Sequence, residues 1–460
     1  MPDFFQKTLS IDFGASYTKV AYRNTCALAR RGPGSENAKI LLFDESPVIP
    51  TIGIRTKKGW VFGQQAAGLK PDPSMEVHIN WKSDLFSSQN TSASSAAVIT
   101  AYEFFGWLKQ KIVESGNIHL KDTVTRIALP AFKKTDEIAR IIACCMENQN
   151  WSNANILKST EPHANVLGLF TRGRNCYNRG DAGFFPNFSR MFQGAQWLER
   201  ARSNFDTNTF TTLVVDIGAY TTDTALLTFD TGTDDLWGDG LEHIIQSSCE
   251  VGVINEFDKP VFKDLSDIHD FDLAHLSFRQ KEKLKEKLYS FNRHTVATQQ
   301  GMLRIGKEVH FNIVRKWAEI FSQQILDIVK PIVLEHKPPT VHFTGGGARI
   351  QSIRQHIQNS LPVRIKFYDD ETGAEPEDEA DDNYQWDVRE IGLDRLATPL
   401  GGASIVMQNS HPVYHDGLPY PQTARDTNEE ADFMSCRCNG LNPDCCFCRG
   451  SGSYDRQVVQ

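Results

Sequence analysis

An internal repeat constrains this chain more than any other feature, because a repeat decides architecture. Leu9-Ser-Ile-Asp12-Phe-Gly14-Ala15-Ser16-Tyr17-Thr18 is echoed by Leu213-Val-Val-Asp216-Ile-Gly218-Ala219-Tyr220-Thr221-Thr222. In each copy a short apolar strand ends in Asp and passes through a turn of small residues. It returns as an alternating strand, Lys19-Val20-Ala21-Tyr22 or Asp223-Thr224-Ala225-Leu226. That pattern predicts a β-hairpin. Two similar hairpins, one opening each half of the chain, predict two related lobes. Length agrees, since 460 residues exceed one ordinary core.

Between the hairpins, Val98 to Glu114 reads as a helix, Val124 to Leu129 as a strand and Asp136 to Glu147 as a second helix. Residues 172–208, rich in Gly, Asn, Arg and aromatic side chains, break the rhythm and read as an insertion or long loop. In the second half, Leu273 to Phe291 and Glu308 to Lys330 are predicted helical. Ile313, Trp317, Ile320, Ile325 and Ile328 recur at helical spacing in the latter, and Pro331 is expected to end it. Asp369 to Asp382 is strongly acidic and reads as a solvated loop. The division that results is a first lobe over 1–171, the insertion, a second lobe over 209–406, a linker over 407–430 and a cysteine-rich tail over 431–460.

The paired turns point to chemistry. A single Asp-x-Gly turn is common, but Gly14-Ala15-Ser16 and Gly218-Ala219 would both let backbone N–H groups approach phosphate oxygens. Asp12 and Asp216, at the strand ends, are expected to face each other across a cleft. Two carboxylates there would hold hydrated Mg²⁺, an ion that keeps its waters and bridges phosphates. The alternative is that each merely stabilises its own turn. A third element, Val341-His-Phe-Thr344-Gly345-Gly346-Gly347-Ala348-Arg349-Ile350, is a strand, a glycine turn and a helix beginning near Arg349. Such a junction offers free N–H groups and room for a flat ring. By itself it also reads as a flexible connection.

The Asp12 turn, Glu161-Pro162-His163-Ala164, the Asp216 turn and Thr344 to Ile350 resemble, in order, the phosphate-1, connect-1, phosphate-2 and adenosine motifs of the actin/hexokinase/heat-shock superfamily. Other segments resemble its DnaK branch. They are Ile127-Ala-Leu-Pro130-Ala131-Phe132, Val61-Phe-Gly63-Gln-Gln-Ala66-Ala67 followed by Trp81-Lys82, Glu282-Lys-Leu-Lys285, and a connect-2-like stretch from Leu396-Ala397 to Gly402-Ala403. The likeness runs from about Thr8 to Ile405. It implies an α/β, two-lobed actin-like (ribonuclease H-like) ATPase fold, with the connect-2 helix returning to the first lobe.

The resemblance also implies roles. Asp12 and Asp216 position Mg²⁺ through water, Lys82 contacts the phosphates, and Glu161 and Thr221 orient the attacking water. Gly14, Ala15, Ser16 and Tyr17 form one phosphate turn, and Gly218, Ala219 and Tyr220 the other. Gly345, Gly346 and Arg349 line the adenine with Gly347 in the same turn, while Glu282 and Lys285 close over the nucleoside. Such a set suits phosphoryl transfer, which depends on positioning and charge neutralisation. Without the resemblance, Lys82 also reads as a solvated surface lysine, and Glu282 with Lys285 as an exposed i,i+3 ion pair.

Departures from the family shape the expected function. Ala219 and Tyr220 stand where the family carries glycines, and a tyrosine over the phosphates predicts slow turnover. Ala15-Ser16 replaces two threonines, and nothing after Ile405 resembles the chaperones' apolar linker or β-sandwich peptide-binding domain. The expected activity is slow ATP hydrolysis driving a DnaK-like, chaperone-like conformational switch that a protein partner or client reads. The alternative is an actin-like filament former whose assembly ATP controls. A small-molecule kinase would need an acidic base aimed at a substrate hydroxyl, and none stands out beyond the hydrolysis set.

Five of the ten cysteines crowd into Cys436 to Cys448, a metal-site signal. Tetrahedral Zn²⁺ takes four thiolates at about 2.3 Å, and Cys-x-x-Cys turns supply them in pairs. Cys445-Cys446-Phe-Cys448-Arg-Gly450-Ser-Gly452 resembles one repeat of the DnaJ-type zinc module, while Cys436-Arg-Cys438 has one residue between its cysteines rather than two. Cys436, Cys438, Cys445 and Cys448 are the expected zinc ligands, with Cys446 spare and other sets of four open. Reduced thiols without metal are the alternative. Cys26, Cys144, Cys145, Cys176 and Cys249 are scattered and read as reduced. A net charge of −8 argues against nucleic acid or anionic lipid as partner. No run reaches the roughly 18–20 apolar residues that span a bilayer, and Met1 to Thr8 lacks the apolar run of a signal peptide. A cytoplasmic protein is expected, with homo-oligomerisation open.

Overall fold

The first repeat copy forms strands β1 (Lys7–Phe13) and β2 (Tyr17–Arg23), paired antiparallel with Asp12 opposite Lys19. Alternation puts Leu9, Ile11 and Phe13 into the apolar core and leaves Ser10 and Asp12 to the other face. Strands β3 (Lys39–Ile40) and β4 (Ile49–Pro50) pair with β2. Beside them β5 (Gly53–Thr56), β6 (Gly59–Phe62) and β7 (Glu76–His78) make a small sheet, with helix α1 (Gly63–Gly68) following β6. Helices α2 (Trp81–Phe86) and α3 (Ser92–Gly116) lead to β8 (Thr123–Ala128), parallel to β1. Then come α4 (Thr135–Asn148), β9 (Ala154–Ile156) and α5 (Glu161–Phe170). This computed structural model describes residues 7–23, 39–86, 92–116, 118–120, 123–132, 135–151, 154–156, 160–170, 209–230, 241–269, 276–290, 294–298, 301–305, 308–367, 393–404, 433–435 and 453–455.

The second repeat copy forms β10 (Thr209–Ile217) and β11 (Thr222–Asp230), continued antiparallel by β12 (Leu241–Cys249). A π-turn over Ile254–Asp258 opens into α6 (Lys259–His269), followed by α7 (Phe278–Tyr289) and the hairpin of β13 (His294–Thr298) and β14 (Gly301–Ile305). Next are α8 (Glu308–His336), β15 (Thr340–Thr344), a 3₁₀ turn over Gly346–Arg349, α9 (Gln351–Ser360), β16 (Arg364–Phe367) and α10 (Leu393–Ser404). The two main sheets share one plan. Strand order is β3-β2-β1-β8-β9 in the first and β12-β11-β10-β15-β16 in the second. In both, the hairpin side is antiparallel and the two strands beyond the central one are parallel. The protein is mixed α/β.

Three helices depart from the sequence reading, the first being α3, which begins at Ser92 rather than Val98. Helix α7 starts at Phe278 rather than Leu273, because Ser277 caps it: its Oγ accepts the Gln280 N–H at 3.2 Å and Gln280 Oε1 accepts the Ser277 N–H at 2.9 Å. Helix α8 runs past Pro331 to His336 instead of ending there. Proline forfeits one helical N–H bond, but Val329 and Val333 on either side are buried in the second core and hold the helix through it. Residues 172–208, 369–382, 407–430 and Cys436 to Cys448 lie outside the described residues. Flanking those cysteines, β17 (Phe433–Ser435) and β18 (Ser453–Asp455) pair antiparallel. Among the described residues, Cys144, Cys145 and Cys249 form no disulfide.

Each sheet has its own apolar cluster, around Phe13, Phe104 and Phe105 in the first and Phe257, Phe321 and Phe343 in the second. Burying one such side chain contributes roughly 1.5–3 kcal/mol. Two helices change sides. Helix α5 precedes the second sheet in sequence yet packs on β10, β11 and β12, whereas α10 follows that sheet and packs on β1, β2 and β8. They cross backbone to backbone. A Cβ at Gly168 would lie 1.8 Å from the Ala397 carbonyl oxygen, and one at Gly401 would lie 1.8 Å from that of Ala164. Among the described residues no helix is long and apolar enough to cross a membrane.

Candidate active site

Equivalent strand ends of the two sheets meet. Asp12 sits one residue before the end of β1 and Asp216 one before the end of β10, each opposite a return-strand residue, Lys19 and Asp223 respectively. Lys19 Nζ lies 2.6 Å from Asp12 Oδ2. Helix α5 delivers Glu161 as its first residue, and Lys82 of α2 reaches Glu161 Oε1 at 2.7 Å. Lys82 is 3% exposed and stands over the rings of Phe13 and Phe86. It is a buried, paired cation and no surface lysine. Thr221 Oγ1 donates to Asp223 Oδ2 at 2.9 Å.

The cluster is acidic, and burial and neighbouring charges shift its carboxyls. Burial and then the charge of Asp12 push the Asp216 carboxyl up to about 7. Glu161 is also raised, by burial first and Asp12 next, against the pull of Lys82. Asp223 is raised well above its ordinary value by burial, then by Glu161 and Asp216. Four carboxylates against Lys19 and Lys82 leave two negative charges unbalanced when all are ionised. Asp216 is half-buried, but its Oδ1 is closed off from solvent and has no hydrogen-bond partner among the described residues. Its other oxygen accepts the Asn165 Nδ2–H at 2.9 Å. Among the described residues no three His, Cys, Asp or Glu side chains close on one point as direct metal ligands. A cation that keeps its waters is the kind that Asp12 and Asp216 could hold, and one of those waters could bond the orphaned Oδ1.

Both turns are built to keep backbone near this cluster. At Gly14 a Cβ would sit 2.3 Å from the Tyr17 carbonyl oxygen, and the Ser16 carbonyl accepts the Thr51 N–H at 2.8 Å. The carbonyls of Gly218 and Ala219 accept the N–H groups of Val253 and Ile254 at 3.1 and 2.9 Å. In a trans peptide the N–H opposes the C=O, so the amides of Ala219 and Tyr220 point away from that segment. Tyr220 does not simply cover the turn. Its ring lies 6.3 Å from Phe86 and packs against the first core.

The predicted nucleoside residues form a second group. Tyr17 donates its hydroxyl to Glu282 Oε2 at 3.2 Å, and Glu282 is tightly paired with Lys285. Lys285 also meets Asp258 at 3.0 Å. Burial opposes its charge, but Asp258 and Glu282 outweigh that and raise its pKa. A cleft lined by Tyr17, Pro50, Gln64, Ala67, Phe278 and Glu282 opens beside this network. Gly345, at φ +85°, stands where a Cβ would be 2.3 Å from Asp216 Oδ1, so the glycine turn abuts the acidic cluster directly. A Cβ at Gly346 would meet nothing within 4 Å, whereas Gly347 packs on Ile217. Arg349 is held as a fork on Asp394, both contacts at 2.6 Å.

Sequence reasoning passed over Lys19, Asn165, Asp223, Ser248 and Asp394. Lys19 and Asp223 occupy the same place in the repeat, seven residues after Asp12 and Asp216, so the repeat itself could have found them. Asn165 joins Asp216 to Thr398 and Thr344, at 3.2 and 3.4 Å respectively for the latter two. No local pattern marks it. The expected zinc ligands Cys436, Cys438, Cys445 and Cys448 lie outside the described residues. A scan against protein-family models finds no match to this chain, and a search of curated proteins finds none either.

Proposed function

We propose that this chain binds Mg·ATP between two actin-like lobes and hydrolyses it slowly, as a DnaK-type ATPase whose nucleotide state sets a conformation that a protein partner reads. The observation that carries the reading is the meeting of Asp12, Glu161, Asp216 and Asp223, with Lys19 and Lys82, at matching strand ends of two sheets of one plan. Helices exchanged between the sheets support it too, since a change at the cleft then moves both halves. Asp12 and Asp216 would hold the magnesium ion through water. That ion supplies charge neutralisation of the phosphate oxygens. Lys82 is positioned to meet phosphate by leaving Glu161, which is then free to take a proton from water. Thr221, its own proton given to Asp223, offers lone pairs that accept a water proton and so aim the water. Glu282, Lys285 and Tyr17 flank the cleft suited to a nucleoside, and the amide side of the 218–220 turn suits phosphate oxygens. The cysteine tail is assigned to one Zn²⁺ and to partner docking.

Calorimetry with ATP and Mg²⁺, together with phosphate release by wild type and Asp216→Ala, tests the reading. Mg-dependent ATP binding and loss of turnover by about 10² in the variant are expected, the scale typical of lost positioning. Absence of Mg-dependent affinity at millimolar ATP would end it.

A further inference from the structure

We propose that Ser248 is a positioning residue of this site, a hydroxyl that the first half of the chain must touch before Asp223 and Thr221 are aligned. The inference rests on the ATPase reading above. Ser248 lies opposite Asp223 across the β11–β12 pair. Its Oγ accepts the Ala131 N–H at 2.6 Å and donates to Asp223 Oδ1. An amide can only donate, so it takes one lone pair of the serine oxygen and leaves the O–H to donate to Asp223 when that carboxyl is ionised. With Thr221 on Oδ2, both carboxylate oxygens are occupied by hydroxyl donors. Thr221 Oγ1 is left with lone pairs alone, the polarity needed to accept from water.

The segment that supplies the amide also holds Glu161. The Leu129 carbonyl accepts the Glu161 N–H at 2.7 Å, two residues before Ala131 makes its bond to Ser248. One short stretch after β8 thus positions the carboxylate of α5 on one side and, through Ser248, the Asp223–Thr221 pair on the other. Separation of the halves removes the amide, and the serine proton is then free to rotate off Asp223.

Ser248→Ala, Ser248→Thr and Ala131→Pro, which deletes the N–H, test this with Mg·ATP in the full chain. Ser248→Ala should slow single-turnover phosphate release roughly tenfold, the usual scale for one bond to a charged group, with ATP affinity held within about twofold. Ser248→Thr should restore the rate. Ser248→Ala combined with Ala131→Pro should be no slower than the slower single variant, because both remove one link. A wild-type rate in Ser248→Ala, or additive losses in the double variant, would overturn the proposal. Amide hydrogen exchange separates it from the ATPase reading. Exchange at Ala131 in the nucleotide-free protein should speed up in Ser248→Ala and not in Ser248→Thr. If wild type releases no phosphate the ATPase reading fails, while unchanged exchange at Ala131 overturns the Ser248 contact itself.

Discussion

Glu161 and Lys82 are each within a tenth of full burial, and each is tolerable there only because of the other. Removing one partner of a buried pair strands the second, which costs about 3–5 kcal/mol, against the 0–1 kcal/mol of an exposed pair. Lys82→Ala should therefore lower unfolding free energy by about 3 kcal/mol in denaturant titration, and Lys82→Met with Glu161→Gln should recover most of it without restoring turnover. A loss under about 1 kcal/mol for Lys82→Ala would place the lysine at the surface after all. Asp216 makes a pH prediction. Its carboxyl titrates at about 7 when folded and near 3.9 when unfolded, so between those values the folded state holds the extra proton. Stability then falls as pH rises through that window. Without Mg²⁺, the thermal midpoint of wild type should drop from about pH 5 to about pH 8, and Asp216→Asn should flatten part of that fall. Glu161 and Asp223, shifted the same way, keep the remainder. Equal slopes for the two proteins would show that Asp216 ionises normally.

At the scale of elements, the crossing of α5 and α10 sets how closely the two sheets approach. Replacing Gly168 or Gly401 by Ala brings two opposed effects. Helix propensity gains about 1 kcal/mol, while overpacking costs about 1–3 kcal/mol or more. The Cβ would meet a backbone oxygen at 1.8 Å in either case, which no rotamer change relieves. Overpacking wins. Each variant should lose about 2 kcal/mol by denaturant titration, and Gly68→Ala, whose Cβ would meet nothing within 4 Å, should be neutral or slightly stabilising. Gly168→Ala as stable as wild type would mean that the helices are not in backbone contact. Helix α8 teaches the complementary lesson. Pro331 is a helix terminator by local rule, but burial of Val329 and Val333 carries the helix past it.

Across the whole molecule, β17 and β18 bring together the two ends of the segment that carries the five tail cysteines, where the proposed zinc is tested. Elemental analysis of the reduced protein should find about one zinc per chain, lost in Cys445→Ser with Cys448→Ser. Deleting residues 431–460 should leave ATP affinity unchanged, and less than about half an equivalent of zinc in wild type would remove the metal. Both hairpins, the strand after α3, helix α4 and the place of Asp12 and Asp216 at strand ends were legible in the residue order alone. Period-two alternation and small-residue turns are local signals, and a repeat states the same signal twice. Partners were not legible. Lys82 meets Glu161 across 79 residues of chain, and Asn165 meets Thr398 across 233. Side-chain periodicity tells which face a residue takes, but not which distant face lies opposite. Only the exchange of α5 and α10 between the sheets, and the close approach that Gly168 and Gly401 permit, decided that scattered acids and lysines would share one buried site and shift one another's ionisation.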